Sequence, residues 1–248
     1  MTKYAAYGAE LDIGTPQVET ATVVGTITGS GDATFTLTAS GMTGTGDPIA
    51  VAVLDEDTAD TVATKAVAVF NAMSDITDFF TCVANGPNVI LTRVAAAAND
   101  GTMNLAYTNG DCTGLTPDAE STATTAGVAA TETAGVTNIG GPGLSLDTED
   151  VTTHDQSTAW EEHVATVLRS GEVTLDIIYD PAGGTHDATT GLNYRLENKT
   201  YSYFDLIFRS TYNWTFFGYV TGFEPGSPID GALTASVTVK ITGAPTLE

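Results

Sequence analysis

Basic residues are scarce in this sequence of 248 residues, which has 8 lysines and arginines against 31 aspartates and glutamates. A groove that binds nucleic acid needs clustered Lys and Arg side chains to neutralise phosphates. The basic residues here are spread singly from Lys3 to Lys240, so they cannot form such a groove. The formal net charge of -23 therefore argues against direct nucleic-acid binding and favours a strongly solvated surface.

Cysteines and long apolar runs are equally few. Cys82 and Cys112 are the two cysteines, and a pair does not make a disulfide framework in a chain of this length. No apolar run approaches the length that crosses a membrane, and the first residues lack the apolar segment of a secretory signal. We expect synthesis in a reducing cytoplasm, no membrane contact, and two unbridged cysteines that are buried or half-buried.

The short motifs of common enzymes and cofactor sites are also missing: no nucleophile elbow, no phosphate-binding loop and no zinc-protease motif occurs. His154-Asp155 and His186-Asp187 imitate a base with its orienting acid. No nucleophile accompanies either pair in the sequence, and we expect both in solvated loops. The sequence therefore predicts no catalytic residue, no metal ligand and no cofactor.

Glycine and threonine are abundant instead, a composition that suits strands and tight turns. The clearest pattern is an alternation near the C-terminus. Apolar residues occupy one face (Leu233, Ala235, Val237, Val239, Ile241) and polar residues the other (Thr234, Ser236, Thr238, Lys240). Such alternation predicts a strand with one face on a core and the other on a polar surface. Further strands are predicted at residues 172–179, 203–209 and 213–220.

A helix is predicted just before these strands. Thr158-Ala-Trp-Glu161 is a capping-box pattern, Arg169 suits a last turn, and Gly171 is placed to end the helix. Four apolar residues share one helical face at i, i+4, i+7 and i+8: Trp160, Val164, Val167 and Leu168. We predict that this stripe packs the helix on a sheet.

Residues 21–131 interrupt the first domain with a pattern of their own. A strand is predicted at residues 7–14, and the segment expected to follow it in the same domain occurs only at residues 133–139. Between them lie alternating stretches at 33–38 and 49–54, a hairpin signal over 79–93, and a helix capped by Asp57 with Val62, Ala66 and Val69 in one stripe. We predict a discontinuous domain of residues 1–20 and 132–248, interrupted by a small α+β domain of residues 21–131.

Aromatic residues crowd the region after the predicted helix: Tyr201, Tyr203, Phe204, Phe208, Trp214, Phe216, Phe217, Tyr219 and Phe223. Part of this set can fill a sheet core. The number exceeds what one small sandwich buries, so we expect the surplus at subunit interfaces.

Two ordered blocks of sequence resemble the tail tube (major tail) proteins of long-tailed bacteriophages. One runs from Gly218 to Leu247. The other starts at Gly141-Pro-Gly-Leu-Ser-Leu, continues to His154-Asp155 and, after the predicted helix, ends with Gly171-Glu-Val-Thr-Leu-Asp-Ile-Ile-Tyr-Asp-Pro181. The resemblance covers residues 1–18 and 133–248, and the sequence departs from the family in carrying the insertion.

The resemblance implies a mainly β fold: a two-sheet antiparallel β-sandwich or barrel with one flanking helix. It also implies hexameric rings of identical chains, stacked into a tube that delivers DNA without binding it specifically. The implied partners are the chain itself and the tape measure, tip and terminator proteins of the tail. The implied location is the virion tail, assembled in the host cytoplasm. In the resembled family, an extended loop between the strand after Gly141-Pro-Gly and the following helix makes the contacts between stacked rings. In this sequence the loop at that place includes Asp150, Val151, Thr152, Thr153, His154 and Asp155.

The lumen of such a tube is expected to have acidic and small polar side chains and almost no Lys or Arg. DNA must slide through without pausing, and each basic contact to phosphate would hold it. Thr234, Ser236 and Thr238 are candidates for this lining. We expect the inserted domain on the outside of the tube, because a domain of about a hundred residues in every subunit would block the bore.

Two alternatives remain open at this point. The acidic, aromatic and Thr-rich character is also compatible with a carbohydrate-binding or adhesion module, which would be a monomer with exposed aromatics in a groove. A hydrolase using the His-Asp pairs would need a pocket that brings His154 or His186 to a serine or a carboxylate.

Overall fold

The computed structural model describes residues 8–154, 160–209 and 212–247. The fold is mainly β, with 53% of residues in strands and 9% in helices, and its antiparallel sheets include a curled half-barrel. This confirms the predicted fold class. The chain divides into two compact units: the first contains residues up to Ile13 and from Thr131 onward, and the second is Gly14–Ala130.

In chain order, the helices and strands are β1 Glu10–Thr15, β2 Val18–Thr22, β3 Gly25–Gly29, β4 Gly31–Thr38, β5 Pro48–Val53, α1 Ala59–Phe70, α2 Ser74–Thr77, β6 Phe80–Asn85, β7 Asn88–Arg93, β8 Asn104–Thr108, β9 Thr113–Leu115, β10 Thr122–Thr125, β11 Val128–Glu132, β12 Val136–Gly140, β13 Ser145–Asp150, β14 His163–Arg169, β15 Glu172–Ile178, α3 Leu192–Glu197, β16 Ser202–Arg209, β17 Tyr212–Gly226 and β18 Thr234–Leu247.

The first unit is built on a seven-stranded sheet with the strand order β11-β1-β16-β17-β18-β15-β12. β18 lies near its middle and pairs antiparallel with both β15 and β17. The predicted alternation of β18 is confirmed: Ala235, Val237, Val239 and Ile241 are buried, while Thr234, Ser236 and Lys240 are exposed. One face of the sheet thus covers a core, and the other, which we call the open face, is polar along β15 and β18.

The core of the first unit combines alternate residues of β1, β15, β16, β17 and β18 with Leu192 of α3. At its centre the Phe204 and Phe216 rings stack with centroids 5.4 Å apart. α3 therefore takes the place of the flanking helix that the sequence had assigned to residues 158–169. Its Arg195 is buried, and the guanidinium donates a hydrogen bond of 2.7 Å to Ser202 Oγ at the start of β16.

The second unit contains three small sheets and two helices. Their strand orders are β10-β2-β7-β6, β5-β4-β8 and β3-β9. Its core is separate from that of the first unit and includes Phe35. The Phe35 ring packs edge-on against Phe70, with ring centroids 5.8 Å apart, and its centroid lies 5.7 Å from that of Tyr107. Helix α1 is capped by Thr58 rather than by the predicted Asp57, which accepts the Leu54 N–H and pairs with Lys65.

The boundary between the units lies before β2, whereas the sequence placed it after residue 20. β2 pairs along its whole length with β7, which fixes it in the second unit. The two segments that cross the boundary, β1 and β11, are neighbours in strand order. A Cβ added to Gly14 would lie 3.0 Å from the Ala130 backbone nitrogen, so the two ends of the second unit almost touch.

Both cysteines are free and buried, as predicted. Burial raises the pKa of the Cys82 thiol to about 12, so this group stays protonated and unreactive in the folded unit. Within the described part of the chain, no helix has the length and apolar character needed to span a bilayer.

Candidate functional site

The predicted helix of residues 158–169 is wrong, and its second half is strand β14. β14 pairs antiparallel with β13, from Ser145 opposite Arg169 to Asp150 opposite His163. The run His163-Val-Ala-Thr-Val-Leu-Arg169 is rich in β-branched residues, and a partner strand lies close by in sequence. Pairing with β13 therefore outweighs the helical spacing of the stripe. Thr158 of the predicted cap lies outside the described residues.

The β13–β14 hairpin is uncovered on both faces. Every residue of β14 is exposed. Trp160 and Leu168 are each 80% exposed, and Leu146, Val164 and Val167 are about half exposed. The predicted packing of Trp160, Val164, Val167 and Leu168 on a sheet is thus absent from this single chain. A two-stranded ribbon is marginally stable in water, so apolar residues exposed along its length indicate a surface that another molecule covers.

The residues predicted to make inter-ring contacts lie at the free end of this hairpin. Asp150 ends β13, and its Oδ1 accepts hydrogen bonds from the Thr152 backbone N–H at 2.9 Å and from Thr152 Oγ1 at 2.6 Å. These bonds lower the pKa of Asp150. The Glu162 N–H donates to Thr152 Oγ1, and the Val151 N–H donates to the Glu162 carbonyl. Thr153 and His154 follow and are exposed, while Asp155 lies outside the described residues.

A groove of about 690 Å³ lies at the opposite end of the hairpin, its root. The groove is lined by Leu144, Ser145, Val167, Leu168, Arg169, Ser170, Gly171, Trp214, Lys240, Gly243, Ala244, Pro245 and Leu247. Arg169 pairs with Asp147, and Lys240 pairs with Glu172 at 3.2 Å. The result is an apolar groove with two cations at its rim. The sequence alone does not reveal this groove, because residues distant in sequence form it.

The candidates for the lumen lining lie on the open face of the seven-stranded sheet. Thr234, Ser236 and Thr238 stand opposite Ile178, Asp176 and Thr174 of β15. Ser236 Oγ donates to Asp176 Oδ1 at 2.8 Å, and Asn138 donates to Asp176 Oδ2 at 3.1 Å. These two bonds lower the pKa of the Asp176 carboxyl, so it stays ionised.

Acidic residues predominate on the strands of this sheet. Seven occur: Glu10, Asp12, Glu132, Glu172, Asp176, Asp205 and Glu224. The basic residues on the same strands are Arg209 and Lys240. A sheet of this composition repels phosphate rather than holding it.

Asp12 is the member of this set with the most perturbed acidity. Burial raises its pKa from 3.8 to about 6, and the nearby carboxylates of Glu10, Asp205 and Glu132 add to the rise. Its Oδ1 atom is buried without a hydrogen-bond partner among the described residues. The ionised form is therefore penalised in the folded unit relative to the unfolded chain.

We expect Asp12→Asn to stabilise the first unit at pH 7. Because the folded pKa is raised, ionisation of Asp12 destabilises the fold progressively between pH 4 and 6, and the penalty is then constant above pH 6. The gain should be on the order of 1 kcal/mol after discounting for solvent screening, and it should vanish near pH 4. Urea unfolding followed by tryptophan fluorescence measures it. Asp176→Asn, which removes a carboxyl with a lowered pKa, should not stabilise; equal gains from both would contradict this cause.

Four aromatic residues form a cluster on the face of the sheet opposite the core. Tyr201 stacks on Phe217 with ring centroids 5.1 Å apart, and Tyr219 and Tyr203 flank the pair. Tyr203 and Phe217 are directly paired across β16 and β17. These four residues belong to the set of aromatic residues that the sequence contains in excess of what one small core buries.

The His-Asp pairs do not form a base with its orienting acid where the structure describes them. His186 is buried rather than solvated: its Nε2 lies 2.7 Å from the Ala134 carbonyl, and its Nδ1 accepts the Asp180 N–H at 3.2 Å. Asp187 instead caps a turn by accepting N–H groups from Thr189, Thr190 and Gly191, which hold its pKa well below the usual range. Within the described residues, no group of three or more His, Cys, Asp or Glu is placed to hold a metal ion.

The second unit has a polar pocket of about 390 Å³ on β2, β10 and the segment before β8. Two buried side chains lie at it. Gln17 makes reciprocal hydrogen bonds with the Asp100 backbone at 3.0 and 2.7 Å, and Glu19 accepts from Ser121 Oγ at 3.0 Å. The lining contains no aromatic residue, which does not match the groove that the carbohydrate-binding alternative requires. These hydrogen bonds join Gln17, which precedes β2, to residue 100 and join Glu19 of β2 to residue 121.

Comparisons with known proteins give a partial likeness. No protein-family model matches the chain, and no curated protein matches it significantly. A chain in a structure described as the virion of a native gene transfer agent particle is 14% identical, with a TM-score of 0.38, over 48% of this chain and 88% of that chain. A chain in the tail of an empty gene transfer agent particle, refined with C6 symmetry, is 16% identical, with a TM-score of 0.38, over 48% and 86%.

A third similar chain belongs to the six-fold symmetrised baseplate of the anti-feeding prophage. It is 10% identical, with a TM-score of 0.37, over 48% of this chain and 83% of that chain. Each of the three likenesses covers about half of this chain.

Proposed function

We propose that this chain is a structural protein of a phage tail: the protomer of hexameric rings that stack into the tube through which DNA passes. The observation that carries the proposal is the β13–β14 hairpin, with exposed apolar residues on an otherwise unsupported two-stranded ribbon. The two sequence blocks that resemble tail tube proteins include this hairpin, the second half of β17 and all of β18. On this proposal the chemistry of the protein is association, and it is not an enzyme.

The open face of the seven-stranded sheet is proposed to line the lumen. Its acidic and hydroxyl side chains suit a wall past which DNA slides, since each cation on such a wall would attract phosphate. Thr234, Ser236 and Thr238 would then face the bore. The second unit, whose two ends almost touch, is proposed to lie on the outer side of the tube.

The free end of the hairpin is proposed to make contacts between stacked rings, through Asp150, Val151, Thr152, Thr153, His154 and Asp155. Thr152 Oγ1 donates to Asp150 and accepts from the Glu162 N–H, which orders the described part of this end, and Val151 is exposed there. The tape measure, tip and terminator proteins of a tail are the proposed further partners. The proposed location is the virion tail, after assembly in the host cytoplasm.

Size-exclusion chromatography with light scattering, followed by negative-stain microscopy, tests the proposal on the full-length protein. We expect rings or tubes with six-fold symmetry that grow with protein concentration. A protein that stays monomeric at every concentration and binds an oligosaccharide would contradict it and favour the adhesion alternative.

A further inference from the structure

The β13–β14 hairpin carries unlike surfaces at its two ends. We define the tip as residues 149–151 and 160–162. It presents the indole of Trp160, 80% exposed, among four exposed carboxylates, those of Glu149, Asp150, Glu161 and Glu162. The other end is the root groove described above, which is apolar with Arg169 and Lys240 at its rim.

The tip of one chain cannot fill the groove of the same chain. The groove includes Ser145, where β13 begins, and the tip starts where β13 ends at Asp150. Five residues of extended strand separate the two by about 17 Å, at about 3.4 Å for each residue. Since the paired hairpin is extended, a tip that fills this groove must belong to another copy of the chain.

The tip and the groove are complementary in charge and polarity. Two of the 8 basic residues of this chain flank the groove, although 31 residues are acidic. Among the described residues, Arg169 pairs with Asp147 and Lys240 with Glu172, and hydrogen-bond donors remain unused, since Arg has five N–H groups and Lys has three. The tip supplies carboxylates, and its indole suits a lining of Leu, Val, Trp and Pro side chains. Tryptophan and arginine are the residues that most often dominate interface energies.

We propose that the root groove of one copy binds the Trp160 side chain of a second copy, with the carboxylates of the tip facing Arg169 and Lys240. This inference rests on the proposed function, because it names the contact through which copies associate. Tip and groove are different surfaces, so the contact is heterologous. Each bound copy presents a new free tip and a new free groove, so between stacked rings the contact can repeat along the tube.

Two substitutions in the full-length protein test the contact from its two sides. Trp160→Ala removes the indole, and Ala244→Glu places a carboxylate in the groove opposite the acidic tip. We expect each to weaken association by about 30-fold or more, the size of a hot-spot loss. Ala50→Glu, at an exposed position on β5 of the second unit, makes the same charge change and should assemble like the unmodified chain. Circular dichroism checks that each variant is folded.

Mixing the two variants gives the sharper readout. Each keeps one intact surface, so in an equimolar mixture unlike copies should join once through this contact and extend no further, while each variant alone should not associate through it. Normal assembly of either variant, or a mixture that assembles no further than either variant alone, overturns the inference. If the unmodified chain assembles in those cases, the proposed function stands and only this contact is rejected. If the unmodified chain never assembles, both are rejected.

Discussion

Replacing Phe204 with alanine is expected to lower the free energy of unfolding of the first unit by about 3–5 kcal/mol, the usual cost of removing a buried phenyl ring. Phe204 has no exposed surface, and its ring stacks on Phe216 at the centre of that unit's core. The residues of this core contribute nothing to the core of the second unit. The second unit should therefore keep its stability.

The chain offers a separate probe for each unit. Both tryptophans, Trp160 and Trp214, lie in the first unit, and both cysteines, Cys82 and Cys112, lie in the second. Tryptophan fluorescence in urea thus reports unfolding of the first unit, and the rate of thiol labelling reports opening of the second. Phe204→Ala should shift only the fluorescence transition.

Phe35→Ala is the matched control, because Phe35 is equally buried and contacts Phe70 and Tyr107 in the second core. It should speed thiol labelling and leave the fluorescence transition in place. If either substitution moved both transitions together, the two units would unfold as one, and the separate cores would not act independently.

Cysteine labelling of assembled tubes should distinguish the proposed lumen from the outer surface by more than an order of magnitude in rate. Thr234→Cys places a thiol on the open face, and Ala50→Cys places one on an exposed strand of the second unit. A small maleimide should react at both positions. A maleimide attached to a bulky folded protein should react readily only at position 50, since the lumen is entered only from the tube ends.

Unassembled protein is the internal reference for this experiment, because both thiols should then react with both reagents. The native cysteines are buried and contribute little background. Rapid reaction of the bulky reagent at position 234 in tubes would place the open face outside. Protection of position 50 would instead place the second unit inside.

Strands with regular alternation were predictable because two-residue periodicity and burial on one face follow from local sequence. β18 shows this most clearly, from buried Ala235 to buried Ile241 with polar residues between them. The hairpin of β6 and β7 was predictable for a similar reason, since its turn signal lies between two apolar runs. The sequence signals that specify these strands lie within about ten neighbouring residues.

The β13–β14 hairpin was not predictable in this way, because Trp160, Val164, Val167 and Leu168 have a spacing that fits a helix. A helix would need a sheet beneath that stripe, and a strand needs only β13 beside it. The root groove and the acidic surroundings of Asp12 were also not predictable from local sequence patterns. Asp12 is near Asp205 and Glu132 because β16 and β11 flank β1, and strand order is set by the whole fold.

Because Gly14 lies next to Ala130, we expect that the second unit can be replaced by another domain. A guest domain needs only two closely spaced termini to be joined at residues 13 and 131, because the crossing strands β1 and β11 already lie side by side. The seven-stranded sheet then serves as a display scaffold, and each guest would be carried once per copy of the chain.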